Sequence, residues 1–323
     1  MIQPQPDVSI VIAAFNAAQT IDRAISSALA QQGVSLEVVV SDDCSTDATL
    51  AAVRAIADPR IRVVALPENR GPGAARNAAI DAARGCWIAV LDADDTLLPE
   101  RLARMIAKAE AANAQIAVDN LTVVTVDGQT KAMFDARHLA DNQELTLPTF
   151  IQSNRLFHSQ HNFGYMKPVF KRQFLSERGL RFSESLRIGE DYILLASALA
   201  AGGRCVVDPS VGYCYHITEG SISRELRLDH VEAMIAADAD FLRRYRLDAP
   251  ALSAQSRRRR SLIHGHAFLT MIDCLKRRSY GQALVTALHN PAALRHFRMP
   301  VAERIRRLRN FSRQPNGSVM QQP

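Results

Sequence analysis

The chain has 323 residues, a formal charge of +6 and 47% hydrophobic side chains, enough to bury one large core or two modest ones. Five cysteines without CxxC spacing argue against a disulfide framework or a zinc site and for a reducing compartment. No apolar run reaches bilayer-spanning length, and the start of the chain lacks the basic and apolar regions of a signal peptide. The charge is uneven: from Ala254 onward fourteen Lys and Arg face only Asp273 and Glu303. The body before that tail is therefore net acidic, which argues against a general nucleic-acid surface.

Residues 8–14 are a β-branched run that reads as a buried strand, followed by a helix with Ile21, Ala24, Ile25, Ala28 and Leu29 on one face. Residues 36–40 form a second strand, after which Ser45 or Thr46 is expected to cap a helix over 48–57. A third strand at 61–66 leads into the loop 67–73 and an alanine-rich helix at 74–83. The fourth strand, 87–91, is apolar throughout, as strands covered on both faces are. Strands alternating with helices predict a mostly parallel sheet with right-handed crossovers.

The fourth strand stops at Asp92, Asp94 and Asp95, and Pro99 is expected just inside the next helix, 99–112. Asp95 or Thr96 is the natural helix cap, but a cap needs one acid and not three. Acids at the carboxyl edge of a parallel strand occupy the ligand-binding rim of an open α/β sheet. Crowded carboxylates repel unless a cation lies between them, so a hard divalent ion suits the cluster.

Beyond it, 116–126 reads as a strand turned at Asp127-Gly128 and 135–147 as a polar surface loop. The segment 163–174 is strand-like at its start and helical at its end; Gly189 opens a helix that Gly202 stops. Residues 205–207 and 211–216 read as two short strands, and from Arg227 the pattern is helical only, which places a boundary near 225.

The polar residues of the rim follow separate strands or their loops: Asn16, Asp42, Asp43, Arg70, Arg76, Asn77, Asp92, Asp94 and Asp95. An acid at 42 or 43 can accept from an imide N–H or merely favour a helix N-terminus. Arg70 can pair with phosphate or sit solvated. Asp191, at a helix start, is a candidate general base or a simple acidic N-terminus, with Glu190 its rival. His216 is a ligand candidate or a structural histidine, and His158, His161 and Trp87 line an acceptor site or pack. In the tail, Arg257–Arg260 and 276–278 flank the apolar stretch 262–275. Within 300–311, Val301, Ile305, Leu308 and Phe311 share a helix face among arginines. A basic amphipathic helix suits an anionic membrane surface, or it packs on the body.

The segments VSIVIAAFN, VVVSDDCSTDAT, NRGPGAARN, LDADD and GEDYIL, in this order between Pro6 and Ile222, resemble the motifs of family 2 glycosyltransferases. The similarity is to bacterial members that build exopolysaccharides, capsules or lipopolysaccharide. It implies an α/β GT-A fold, a mostly parallel central sheet flanked by helices, with a C-terminal helical extension. Residues 1–225 would form the catalytic domain, divided into a nucleotide-sugar half (1–112) and an acceptor half (113–225), and 226–323 the basic extension. The implied reaction is inverting transfer from a nucleotide-sugar, a UDP-sugar foremost, to a saccharide acceptor that is lipid-linked. The implied place is the cytoplasm, on the inner face of the membrane.

The same resemblance carries roles over residue by residue. Asp43, or its neighbour Asp42, would accept from the uracil N3–H. Arg70, Gly71, Arg76 and Asn77 would cradle the nucleotide, with Ala14, Asn16 and Ala93 in the donor site. Asp94 would bind Mg²⁺ or Mn²⁺ bridging the diphosphate, while Asp92 touches ribose, metal-bound water or the ion itself. Asp191 would be the base, and His216 would complete the metal shell or touch phosphate. The rival readings are a non-catalytic sugar-nucleotide or polysaccharide-binding subunit on the same scaffold and a nucleotidyltransferase. The latter is expected to carry a glycine-rich basic signature after the first strand, where Phe15-Asn16-Ala17-Ala18 has none.

Overall fold

The computed structural model describes residues 4–158, 161–217 and 226–298. The loop 219–223 and the amphipathic stretch 300–311 singled out above lie outside the described residues.

The first half is a parallel sheet with helical crossovers. Strands β1 (Val8–Ala14), β2 (Leu36–Asp42), β3 (Ile61–Ala65) and β4 (Trp87–Asp92) alternate with helices α1 (Ile21–Leu29), α2 (Thr49–Ala55) and α3 (Pro72–Ala82). The β-branched side chains of β1 and β2 are buried on both faces, and α1 covers the sheet with Ile21, Ala24, Ile25 and Ala28. Register sets the functional edge: Ala14 lies opposite Asp42, and Ala13 opposite Asp92. Three strands thus end level, and the segments that leave them meet on one rim.

The second half is mixed. The elements are β5 (Thr96–Leu97), α4 (Arg101–Ala111), β6 (Ile116–Val124), β7 (Thr130–Ala132), α5 (Ala136–Asp141) and α6 (Leu147–Ser153). They are followed by β8 (Val169–Lys171), α7 (Arg172–Glu177), α8 (Glu190–Ala200) and β9 (Cys205–His216). The described strands join in one sheet of order β3-β2-β1-β4-β8-β6-β9-β5, with β7 on β6. Strand β8 runs antiparallel to both β4 and β6. Because it opposes β4, the residues that lead into it arrive at the carboxyl end of β4.

Several local expectations change. Neither Ser45 nor Thr46 caps α2: Ser45 Oγ accepts the Asn16 N–H and Thr46 donates to Asn16 Oδ1, so both serve the β1 edge. Asp47 instead accepts from the Thr49 N–H at 2.9 Å. Pro99 precedes α4 rather than opening it, because β5 intervenes and pairs with β9. Asp95 caps no helix; it accepts from the Tyr213 hydroxyl and the His216 N–H, each at 2.8 Å. The loop 135–147 contains α5, N-capped by Asp135, and 205–216 is one strand with a bulge-like register shift rather than two.

Three helices follow: α9 (Leu228–Arg244), α10 (Ala249–Lys276) and α11 (Tyr280–His289), then a 3₁₀ segment, Pro291–Phe297. Phe241 of α9 and Ala254 of α10 join the main core. Arg258, read above as part of a basic run, is buried: it pairs with Asp238 at 3.0 Å, donates to the Asn154 carbonyl and stacks 3.6 Å above the Tyr192 ring. In the apolar stretch 262–275, Leu262, Ala267, Phe268 and Met271 are buried in small clusters of their own. None of the described helices is long and apolar enough to cross a membrane.

Candidate active site

A cavity of about 1320 Å³ opens on the rim. Of the residues singled out from sequence, Ala14, Asn16, Asp43, Arg76, Asp92, Ala93, Asp94 and Asp191 line it, as does Glu190. Asp42, Arg70, Gly71, Asn77 and His216, also expected at the site, are not among the described residues that line it.

The wall is built by short polar links between strand ends. Asn16 takes a left-handed conformation (φ 49°) as it leaves β1, which Asn tolerates better than most residues. Asp43 accepts the N–H groups of Arg70 and Gly71, both at 2.8 Å, and so fixes the loop after β3 to the edge of β2. A carboxylate has further lone pairs, so Asp43 can still accept a ligand N–H. Arg70 turns outward to Glu184 at 2.6 Å. Asn77 exchanges hydrogen bonds with the backbone of Phe182. At Gly73 a Cβ would stand 2.2 Å from the Ser183 carbonyl oxygen, so the glycine admits the 182–184 segment rather than a ligand.

At the floor lies an ionic cluster drawn from four parts of the chain. Arg76 donates to Asp92 at 2.7 Å and Glu190 at 2.6 Å and stands 3.4 Å from Asp191. Lys167 Nζ lies 2.6 Å from Asp191 and 2.8 Å from Asp92, joining the end of β4 to the start of α8. Burial alone would raise the Asp92 carboxyl, but Lys167 and Arg76 outweigh it and hold Asp92 well below the usual carboxylate range. Burial would likewise discharge Lys167, and Asp191 and Asp92 reverse that effect, so the ammonium stays charged. Glu190 goes the other way: burial, reinforced by the charge on Asp191, raises it despite Arg76. Gly189 (φ 92°) supplies the left-handed turn that swings Glu190 and Asp191 into the first turn of α8.

Acids outnumber cations here, three to two, and Asp94 adds a further carboxylate at the cavity wall. That donor set fits a hard divalent cation. Asp92 already spends both oxygens on Arg76 and Lys167, which makes Asp94 the better-placed ligand. His216 Nε2 stands 3.0 Å from Thr96 Oγ1, and burial together with Arg23 holds its imidazole below the ordinary histidine value. Among the described residues no three His, Cys, Asp or Glu side chains form a metal cage. An ion here would take most of its oxygens from phosphate, as Mg²⁺ usually does.

Sequence reading missed Lys167, Arg187, Tyr215 and Arg258, all of which line the cavity. Lys167 sits in Met166-Lys167-Pro168, which carries no motif; only the antiparallel run of β8 brings it to the rim. The tetra-arginine run gave no sign that Arg258 points inward, because its partner Asp238 is 20 residues away on another helix.

Level parallel strands, an acid cluster beyond β4 and a facing helix start define a GT-A type glycosyltransferase scaffold. Residues 9–174 match the family described as "Glycosyl transferase family 2". The chain is also 64% identical over 307 residues, 95% of its length and 88% of the relative's, to "Succinoglycan biosynthesis protein ExoO" of Rhizobium meliloti (strain 1021). It belongs to glycosyl transferase family 2. Its fold is similar to that of S. aureus TarS 1–349 in complex with UDP-GlcNAc (TM-score 0.62, 21% identity, 82% of this chain and 71% of that one). It is similar, too, to mannosyltransferase PcManGT from Pyrobaculum calidifontis in complex with GDP-Man and Mn²⁺ (TM-score 0.60, 19% identity, 94% and 81%).

Proposed function

We propose that this family 2 glycosyltransferase transfers a sugar, with inversion, from a UDP-sugar to a lipid-linked saccharide acceptor in the assembly of a bacterial exopolysaccharide. The observation that carries the reading is the joining of Asp92, beside Asp94, to Asp191 through one ammonium group across a shared cavity. The strong likeness to a succinoglycan biosynthesis protein supports the exopolysaccharide assignment. Residues 1–112 hold the donor and 113–225 the acceptor, and α9 and α10 of the extension close the cavity with Met234, Arg258 and Leu262.

In this mechanism Asp191 takes the proton of the acceptor hydroxyl as its oxygen attacks the anomeric carbon. The bond to the nucleoside diphosphate breaks on the opposite face, and the diphosphate leaves. Lys167 and Arg76 orient the Asp191 carboxylate, while Asp43 and Asn16 border the nucleotide. Mg²⁺ or Mn²⁺, held by Asp94 and diphosphate oxygens, would neutralise the leaving group. The work is placed at the inner face of the membrane, where the basic C-terminal region meets anionic lipid.

The test is donor turnover against a panel of UDP-, GDP- and dTDP-sugars with Mn²⁺ or Mg²⁺. Turnover should be greatest with a UDP-sugar, vanish with EDTA and return with Mn²⁺; chelator-resistant transfer would remove the metal. Asp191→Asn should lower turnover roughly 10²–10⁴-fold while UDP still binds. A non-catalytic binding subunit would be indifferent to that change, and a larger loss in Glu190→Gln would make Glu190 the base.

A further inference from the structure

A second cavity, of about 310 Å³, adjoins the first, and Arg155, Leu156 and Phe157 belong to the wall of both. The rest of its wall is His158, Ser261, Arg295, His296 and Arg298, without a carboxylate. Among the described residues none of the three arginines meets an acid. Arg295 Nη2 stands instead 3.3 Å from His264 Nδ1, and Arg155 Nη1 3.4 Å from His158 Nε2. Two polar atoms in the wall are buried without a partner among the described residues: Arg155 Nε, and Nε2 of His296, a residue only 7% exposed. Burial and Arg295 hold both His296 and His264 below the ordinary histidine value.

Buried polar atoms left without a partner are costly unless a ligand supplies one; Arg155 Nε and His296 Nε2 are two such atoms among the described residues, beside the exposed Arg295 and Arg298. The ligand that satisfies several guanidinium groups at once is a multiply charged phosphate-type anion. Directly beside this pocket the surface turns apolar. The 3₁₀ segment that carries Arg295 and His296 also exposes Leu294. Helix α11, packed on the body through Ala283 and Ala287, leaves Tyr280, Leu284, Val285 and Leu288 in solvent on one face.

We propose that the second cavity holds the diphosphate of the lipid-linked acceptor. Its saccharide reaches past Arg155–Phe157 into the transfer cavity, and its lipid chain lies along the exposed face of α11. This rests on the glycosyltransferase reading above and adds to it the site of the acceptor's anion. Sugar, diphosphate and lipid follow one another in the ligand as transfer cavity, basic pocket and apolar face do on the protein.

The test measures binding of geranyl diphosphate to the full chain with saturating UDP, so that the donor site is filled. Arg295→Gln and Arg298→Gln should each weaken binding about tenfold, the loss of one charge-assisted hydrogen bond. Arg295→Lys should recover part of it, and the acceptor KM should rise with little change in kcat; the thermal midpoint checks the fold of each variant. Geranyl diphosphate should also bind more tightly than inorganic pyrophosphate and resist competition by phosphatidylglycerol vesicles. Wild-type affinity in both Gln variants, or displacement of the probe by UDP, would overturn the assignment. Equal affinity for inorganic pyrophosphate would make this a free-anion site, and full competition by the vesicles a headgroup site; either result overturns it. A wild type that turns over no nucleotide-sugar would instead overturn the reading of the transfer cavity.

Discussion

Two ionic clusters lie side by side in the fold and do opposite things. The closed one joins Arg101 to Asp119, both with wholly buried side chains, at 2.8 Å, and Arg104 to Asp208. It is balanced, two cations to two acids, yet burial still raises Asp119 against the pull of Arg101 and Arg104. The open one, on the cavity floor, is unbalanced toward acid, yet Lys167 and Arg76 hold Asp92 far below its usual range. A balanced cluster set away from the cavity acts as a fastening. The unbalanced one faces the cavity with more carboxylates than cations. The two touch: Arg101 Nη2 donates to the Lys167 carbonyl at 2.5 Å, so the first cluster fixes the backbone from which the cavity-floor ammonium reaches.

That contrast can be broken most forcefully at Arg101. Arg101→Met strands the Asp119 carboxylate in the core and should cost about 3–5 kcal/mol in denaturant unfolding; a loss below about 1 kcal/mol would mean water already reaches the pair. Lys167→Met should do the reverse. Its neighbours border an open cavity, so unfolding should shift less than for Arg101→Met, while turnover falls roughly a hundredfold as Asp191 loses its orientation. Steady-state kinetics beside a thermal melt separates the two, and equal damage to stability in both variants would erase the distinction.

A third buried acid sharpens it. Glu37 on β2 accepts from Ser9 Oγ and the Arg84 N–H, each at 2.6 Å; burial would raise it, but these hydrogen bonds and Arg84 outweigh that and lower it. Its stabilisation is therefore whole above the usual glutamate value of about 4.3 and is lost as pH falls through the lowered folded-state value. Glu37→Gln should cost about 1–3 kcal/mol at pH 7, with the gap to wild type closing on acidification; a gap that widens would reverse the assignment. The smallest expected effect is Gly189→Ala, about 1–2 kcal/mol for a Cβ in the left-handed turn. It should alter kcat more than the melting point if that turn aims the first residues of α8.

Much of the first half was legible from sequence because its signals are local. Buried parallel strands announce themselves as β-branched runs, and the acids that end them sit within a residue or two of those runs. Asn16, Asp43, Asp92 and Asp94 could therefore be placed on one rim from the strand pattern alone, and the Gly189-Glu190-Asp191 helix start with them. The caps were misread because Ser45, Thr46 and Asp95 bond across strands rather than along the chain.

The amino-acid order alone determined the parallel half-sheet, the family and the residues that crowd the rim, since hydrophobic period and strand-end polarity act over a few neighbours. Only the tertiary structure decided that Lys167 bridges Asp92 to Asp191, that Arg258 turns inward to Asp238, and that Arg155 and His296 share one wall. Those pairings join residues 20 or more positions apart, through an antiparallel strand and two packed helices. Charge chooses its partner by distance in space, which no spacing in the chain records.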